Sequence, residues 1–253
     1  MKNEDLNAYL SAYGNEFKFK DENEIYLKKF AEIIKEDLIH FKPSNFLSLG
    51  IGHKIVSYSI IEYGLIKGNI KKYFIIDGSD KIIESFKSEI SKEILGTKQI
   101  ELYHSYFEEF NTGLKFDRIE MGFILEHVDD PVFILKKYKE MLTDNGKIHI
   151  AVPNARSLHR LIGYYANILD NLYKLSSHDL MLGHKRYYDL DLIKKDIYAA
   201  DLKIERITGL MLKPITNDQM KKLNWSDNII EALVKVGENY PEIANCMYLC
   251  VTK

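Results

Sequence analysis

Two glycines and an acid, placed at the ends of successive strands, are the residues of this chain best suited to chemistry. The apolar segment Phe46-Leu47-Ser48-Leu49 runs directly into Gly50-Ile51-Gly52, and a turn without side chains lets a ligand approach the backbone closely. After an intervening helix, a second apolar strand ends on Asp77. A carboxylate there can accept hydrogen bonds from both hydroxyls of a ribose. The combination predicts a nucleoside site, whereas the glycine turn alone would fit an ordinary tight turn equally well.

Arginine is scarce in this chain, and its few positions cluster. Of 35 basic residues only five are arginine, and three of these, Arg156, Arg160 and Arg186, fall in one region. Arg156 and Arg160 are four residues apart, which predicts one face of a helix. Guanidinium groups bind phosphate or carboxylate through two parallel hydrogen bonds. We therefore expect an anionic substrate here, and the alternative is that these arginines pair with nearby aspartates to fasten the segment.

Length and composition limit the class of protein. A chain of 253 residues with 46% hydrophobic content predicts a substantial core in one large α/β domain. The net charge of −2 argues against nucleic-acid binding, which needs a basic face. No apolar run approaches the length of a membrane span and no secretory signal is recognisable, so we expect a cytoplasmic protein without membrane insertion. The sequence leaves the oligomeric state open.

The two cysteines, Cys246 and Cys250, lie in a segment that we expect to be extended. At strand spacing they are roughly 13 Å apart, beyond the reach of a disulfide. Two thiols without a nearby histidine also make a poor zinc site. We predict that both cysteines are buried core residues, and we predict no metal site in the chain.

Apolar strands alternate with helical stretches from residue 45 onwards. We expect strands near 45–49, 72–77, 99–103, 117–122, 147–152, 202–208 and 244–252, and helices near 54–67, 80–95, 130–143, 155–175, 190–200 and 217–237. Such alternation predicts a doubly wound parallel sheet with helices on both faces and ligands at the carboxyl ends of the strands. We predict a single domain over 1–253, with a helical cap at 1–43 and an inserted substrate lid at 155–188.

Several short motifs follow one another along the chain. They are Leu47-Ser48-Leu49-Gly50-Ile51-Gly52, Ile76-Asp77, Phe116-Asp117-Arg118-Ile119, Leu125-Glu126-His127-Val128-Asp129-Asp130-Pro131, Val152-Pro153-Asn154 and Gly183-His184-Lys185-Arg186-Tyr187-Tyr188. In this order they resemble the class I S-adenosylmethionine-dependent methyltransferases, and the fourth and fifth look like the branch that methylates small molecules such as quinone precursors and sugars. The resemblance implies a Rossmann-like seven-stranded sheet whose last strand is antiparallel.

The resemblance also implies a cofactor, S-adenosylmethionine, and its product, S-adenosylhomocysteine. The cofactor-binding residues would be Gly50, Gly52, Asp77, Gly78, Ser105, Tyr106, Phe107, Met121 and Gly122. Independently of the resemblance, the arginine cluster and its surroundings lead us to expect that Asn154, Arg156, Arg160, Arg186 and Tyr187 bind a small-molecule acceptor. Methyl transfer is an in-line displacement in which positioning supplies much of the rate. A hydroxyl nucleophile must also lose its proton, and His127 and His184 are the two candidate bases.

Two positions depart from the family pattern, because Ser48 stands where the family usually has an acid and Lys54 where it has a third glycine. The missing acid predicts weaker cofactor binding, and Lys54 adds positive charge near a cationic cofactor. The favoured function is O-methylation of a phosphorylated, sugar or nucleotide-linked acceptor. The alternatives are a catalytically degenerate cofactor- or partner-binding protein of the same fold, and a nicotinamide-dependent oxidoreductase, which the missing third glycine disfavours. High lysine and isoleucine with scarce arginine suggest an AT-rich genome and a bacterial source, where such enzymes often modify surface polysaccharides or lipids.

Overall fold

A computed structural model describes residues 20–253, and within them seven strands form one sheet. The strands are β1 (Asn45–Leu49), β2 (Lys72–Asp77), β3 (Ile100–His104), β4 (Phe116–Gly122), β5 (Leu142–Pro153), β6 (Lys203–Gly209) and β7 (Cys246–Thr252). Their order across the sheet is β3-β2-β1-β4-β5-β7-β6. The first five strands are parallel, and β7 pairs antiparallel with both β5 and β6. The predicted doubly wound sheet with an antiparallel last strand is confirmed.

Helices cover both faces of this sheet. They are α1 (Lys20–Phe41), α2 (Ile55–Ser59), α3 (Asp80–Glu89), α4 (Lys92–Gly96), α5 (Pro131–Glu140), α6 (Leu158–Tyr165), α7 (Ser177–Met181), α8 (Leu190–Ala199), α9 (Asn217–Leu223) and α10 (Asp227–Asn239), and α2 continues as a π-helical stretch, Ile60–Ile66. In the described part of the chain, none of these helices is long and apolar enough to cross a membrane.

Successive side chains of the central strands enter opposite cores, as expected for a parallel sheet buried on both faces. Leu47 and Leu49 of β1 join a cluster that includes α5 and α8. Phe46 joins the other cluster, where it meets Phe30 and Ile34 of α1. Burial of each such side chain stabilises the fold by about 1.5–3 kcal/mol. The central strands are therefore packed on both faces up to their carboxyl ends, where a ligand would bind.

Three of the expected helices are shortened or split into two in the structure. The stretch 155–175 is helical only over Leu158–Tyr165, because the side chain of Asn154 accepts a hydrogen bond from the main chain two residues later and delays the helix. Asn167, with a φ of +57°, then turns the chain out of the helix. The stretch 217–237 breaks at Asn224, whose φ is +45°. Asparagine tolerates this left-handed conformation better than most residues. The stretch 80–95 breaks into α3 and α4, where Ser91 caps the second helix.

The predicted cap at 1–43 is described only from Lys20 onwards, and residues 1–19 lie outside the described part of the chain. Within it, α1 lies against the sheet. The ring of Tyr26 packs against Phe123, with centroids 5.1 Å apart. The amide of Asn23 is 2.9 Å from the Nε2 atom of His53, in the loop after β1 that contains Gly50 and Gly52 (the glycine loop). The amino-terminal part of α1 therefore borders the carboxyl ends of the strands.

A buried ion pair attaches α1 to the middle of the sheet. Arg118 of β4 is fully buried, and its guanidinium donates hydrogen bonds to both carboxylate oxygens of Asp37 in α1. Burial alone would raise the pKa of Asp37, but the neighbouring imidazole of His149, at 3.6 Å, and the hydrogen bonds from Arg118 outweigh it and hold that pKa well below its usual range. A charge pair in this position is costly to break from one side.

Replacing Arg118 by methionine should lower the free energy of unfolding by about 3–5 kcal/mol, because Asp37 then lies largely buried without its cation. The matched control is Lys72→Met, which removes a partly exposed pair with Glu101 and should cost about 1 kcal/mol or less. Urea unfolding followed by circular dichroism measures both. Equal losses for the two variants would contradict the role given to Arg118.

Candidate active site

A cavity of about 460 Å³ opens at the carboxyl ends of β1, β2 and β4. It lies where the strand order reverses between β1 and β4, and ligands of open α/β sheets bind at such a switch point. Of the residues predicted from the sequence, its lining contains Gly50, Gly52, Asp77, Gly78, Ser105, Tyr106, Phe107, Gly122, His127, Asn154, Arg160, His184 and Tyr187. Met121, Arg156 and Arg186 do not line it.

The glycine loop and Asp77 hold each other in place. Gly50 and Gly52 have φ values of +80° and +52°, in the region where glycine avoids steric cost. The N–H of Ile51 donates to Oδ2 of Asp77 at 2.9 Å, and the N–H of Ser79 donates to Oδ1 at 2.8 Å. Burial raises the pKa of Asp77, against the opposing effect of these hydrogen bonds. Each carboxylate oxygen keeps a lone pair for a hydroxyl donor.

The strand ends explain which predicted residues reach the cavity. Ser105 follows β3 and donates its N–H to the carbonyl of Asp77 at 3.1 Å, so Tyr106 and Phe107 follow on the same rim. At the end of β4, Gly122 lines the cavity. The side chain of Met121 is fully buried in the core on the opposite face, because successive strand residues alternate between faces.

Lys54, which stands where the family has a third glycine, has the backbone conformation of a glycine. Its φ is +67°, a conformation that glycine adopts without strain. Its ammonium forms an ion pair with Glu89 and donates to the hydroxyl of Ser85 at 2.9 Å, both on α3. The extra positive charge is thus paired with a carboxylate on the neighbouring helix.

Ser48, which stands where the family usually has an acid, has an acid beside it on the adjacent strand. Ser48 pairs in register with Glu120 of β4, and its hydroxyl accepts a hydrogen bond from Tyr73 at 2.9 Å. Oε1 of Glu120 accepts from the N–H of Gly122 at 2.7 Å. Burial raises the pKa of Glu120 to about 8. Sequence reasoning missed this residue, although a lone acid in the apolar end of a strand was a usable signal.

Glu126, His127 and His184 meet on the other side of the cavity. The loop after β4 carries the first two, and the N–H of Lys185 donates to the carbonyl of Glu126 at 2.8 Å, which brings His184 against them. The two imidazole rings stand edge to face, with centroids 4.7 Å apart. Burial lowers the pKa of His127 to about 3 and also lowers that of His184. Burial raises the pKa of Glu126 to about 8.

The clustered arginines are held mainly by main-chain carbonyls. The guanidinium of Arg160 donates to three carbonyls of the segment at 155–174 and lies 4.3 Å from the ring centre of Tyr187. Arg186 donates to three carbonyls of the loop after β4. Arg156 is exposed and precedes α6, so the predicted shared helical face does not form. These contacts fasten the segment, through carbonyls rather than the aspartates considered above.

Two residues that sequence reasoning missed, His159 and Lys213, line the cavity together with Arg160. Lys213 is buried there, and the N–H of His159 donates to its carbonyl at 3.0 Å. Burial lowers the pKa of His159 to about 3. The amide of Asn154 donates to carbonyls of the 241–244 loop, so this predicted substrate residue also ties two segments together.

Comparison with known proteins finds no matching family model but many similar folds. A S-adenosylmethionine-dependent methyltransferase from Clostridium acetobutylicum is 12% identical over 97% of this chain and 98% of its own, with a TM-score of 0.60. The plantazolicin methyltransferase BpumL, solved with a triazolic desmethylPZN analogue and S-adenosylhomocysteine, is 14% identical over 100% of this chain and 92% of its own, with a TM-score of 0.61. The N-methyltransferase NodS from Bradyrhizobium japonicum, solved with S-adenosylhomocysteine, is 13% identical over 97% of both chains, with a TM-score of 0.56. The chain has the class I methyltransferase fold.

Proposed function

We propose that this protein is an S-adenosylmethionine-dependent methyltransferase that acts on a small anionic acceptor, preferably at oxygen. Asp77 carries the proposal. It is a buried carboxylate at the tip of β2, fixed by two main-chain N–H groups, at the switch point of the sheet. This arrangement suits the two hydroxyls of a ribose. The solved S-adenosylhomocysteine complexes of proteins with the same fold support an adenosyl cofactor.

The lining residues suggest how the cofactor lies. Gly50 and Gly52 would face its ribose and methionine portions, and the rim at 105–107 would flank the adenine. We assign the ammonium group of the methionine portion to Glu120, in place of the acid absent at position 48. A buried carboxylate with a raised pKa ionises more readily when a cation lies next to it.

The opposite end of the cavity suits a negatively charged acceptor. Arg160 and Lys213 supply positive side chains there. The nearby carboxylate of Asp179 already accepts hydrogen bonds from Ser176 and from the hydroxyl of Tyr187. A phosphorylated sugar or nucleotide-linked sugar fits this balance of charge. His127 and His184 lie at this end, where the acceptor hydroxyl would meet the methyl group.

Asp77→Asn should weaken binding of S-adenosylhomocysteine by about 10- to 100-fold, because a charge-assisted hydrogen bond contributes about 1.5–3 kcal/mol. Isothermal titration calorimetry measures the Kd. Asp80→Asn, on the exposed first turn of α3, is the matched control and should bind like the native protein. An unchanged Kd for Asp77→Asn would remove the main support for the proposal.

Glu120→Gln should weaken S-adenosylhomocysteine binding roughly tenfold by removing one charge-assisted contact. It should leave binding of 5′-methylthioadenosine unchanged, because that nucleoside lacks the amino-acid portion. Adding Ser48→Asp to Glu120→Gln should restore affinity, since the new acid stands on the paired position of β1. Equal loss for both ligands would show that Glu120 acts only through the shape of the cavity.

Turnover is tested by incubating the protein with S-adenosylmethionine and matched pairs of phosphorylated and unphosphorylated sugars and nucleosides. We expect S-adenosylhomocysteine release with at least one phosphorylated member and little with its unphosphorylated partner. Release with the neutral partners alone would contradict the anionic acceptor. Cofactor binding without release across the panel would favour a degenerate binding protein instead.

A further inference from the structure

Three potential metal ligands converge where the loop after β4 meets the segment after α7. One ligand atom from each of Glu126, His127 and His184 lies within 4.8 Å of the other two. Glu126 is only 1% exposed. Its Oε2 atom has no hydrogen-bond partner among the described residues. Buried polar atoms are rarely left in this state unless an ion or a water satisfies them.

Contacts behind the two imidazoles fix their orientation. The ring of His127 lies against the main chain of Leu182 and Gly183 and stands edge to face with the ring of His184. The Nδ1 atom of His184 is 3.5 Å from Oδ1 of Asp179, and that aspartate is itself held by its helix cap on α7. Histidines that bind metals are oriented by outer contacts of this kind. The rings are thus held in place without the cofactor or the acceptor.

We propose that Glu126, His127 and His184 bind one divalent first-row transition-metal ion at the acceptor end of the cavity. Two imidazole nitrogens favour such an ion over Mg²⁺ or Ca²⁺, which prefer oxygen ligands. Three protein ligands leave coordination positions open for water and substrate. All three residues line the cavity, so the ion can enter from solvent. The proposal revises the sequence prediction that the chain has no metal site.

The role of the ion rests on the proposed methyltransferase function. An ion held by Glu126, His127 and His184 would lower the pKa of an acceptor hydroxyl that reaches it, and the proton would pass to solvent water. The oxygen electron pair forms the bond to the methyl carbon while the carbon–sulfur bond breaks and its electrons stay on sulfur. The products are a methyl ether and neutral S-adenosylhomocysteine. His127 and His184 then serve by holding the ion rather than by taking the proton.

The test begins with protein freed of metal by dialysis against a chelator and titrated with Co²⁺. Calorimetry gives the stoichiometry and affinity, and visible absorption reports imidazole ligation. We expect one ion per chain. Glu126→Gln and His184→Asn should each weaken Co²⁺ binding at least about tenfold, since even outer-contact changes cost 10- to 100-fold. His40→Gln, at an exposed histidine near the end of α1, should bind like the native protein.

Native protein that binds no Co²⁺, or equal affinity in the native protein and both variants, would overturn the metal proposal. Glu126 would then be protonated or would bind water. The absorption spectrum of the native protein decides the question even if a variant fails to fold. Titration of the same samples with S-adenosylhomocysteine separates the two proposals. Nucleoside binding without Co²⁺ binding rejects only the metal, whereas Co²⁺ binding without nucleoside binding rejects only the methyltransferase.

Discussion

The hydrogen bond from the N–H of Ile51 to the carboxylate of Asp77 is the constraint on which the site depends. It joins the loop after β1 to the tip of β2, while the N–H of Gly50 donates to the carbonyl of Ile76 at 2.7 Å. The loop is therefore fixed before any ligand arrives, and the same carboxylate that shapes it faces the cavity. The side chain that fixes the loop is therefore the one proposed to bind the ribose, which limits the residues that could replace it.

The positions of the charged side chains in and around this cavity depend on strand register and on ion pairs between segments as much as on the sequence motifs. The acid expected at position 48 stands instead at Glu120, one strand away and in register. The ammonium group of Lys54 forms an ion pair with Glu89. The two departures from the family pattern therefore have structural counterparts, and neither by itself argues for a degenerate protein.

The sheet was predictable from the sequence because parallel strands buried on both faces form short, continuous apolar runs. Site residues next to strand ends, such as Gly50 and Asp77, were predictable for the same reason. Glu120 and Lys213 were missed, because their positions depend on cross-strand register and on how distant segments dock. Helix bounds in the lid were wrong where an asparagine side chain or a left-handed residue overrode the apolar spacing. The extent of the lid at 155–188 and the roles of its residues remain predictions.

Gly122 joins the floor of the cavity to the packing of α1. A Cβ atom at this position would come within 2.4 Å of the ring of Phe30 and 2.7 Å of the Glu120 carboxylate. Real Cβ atoms do not approach other atoms so closely, so any side chain here would displace both neighbours at once. The packing of α1 through Phe30 and the position of the Glu120 carboxylate therefore both depend on the absence of a side chain at position 122.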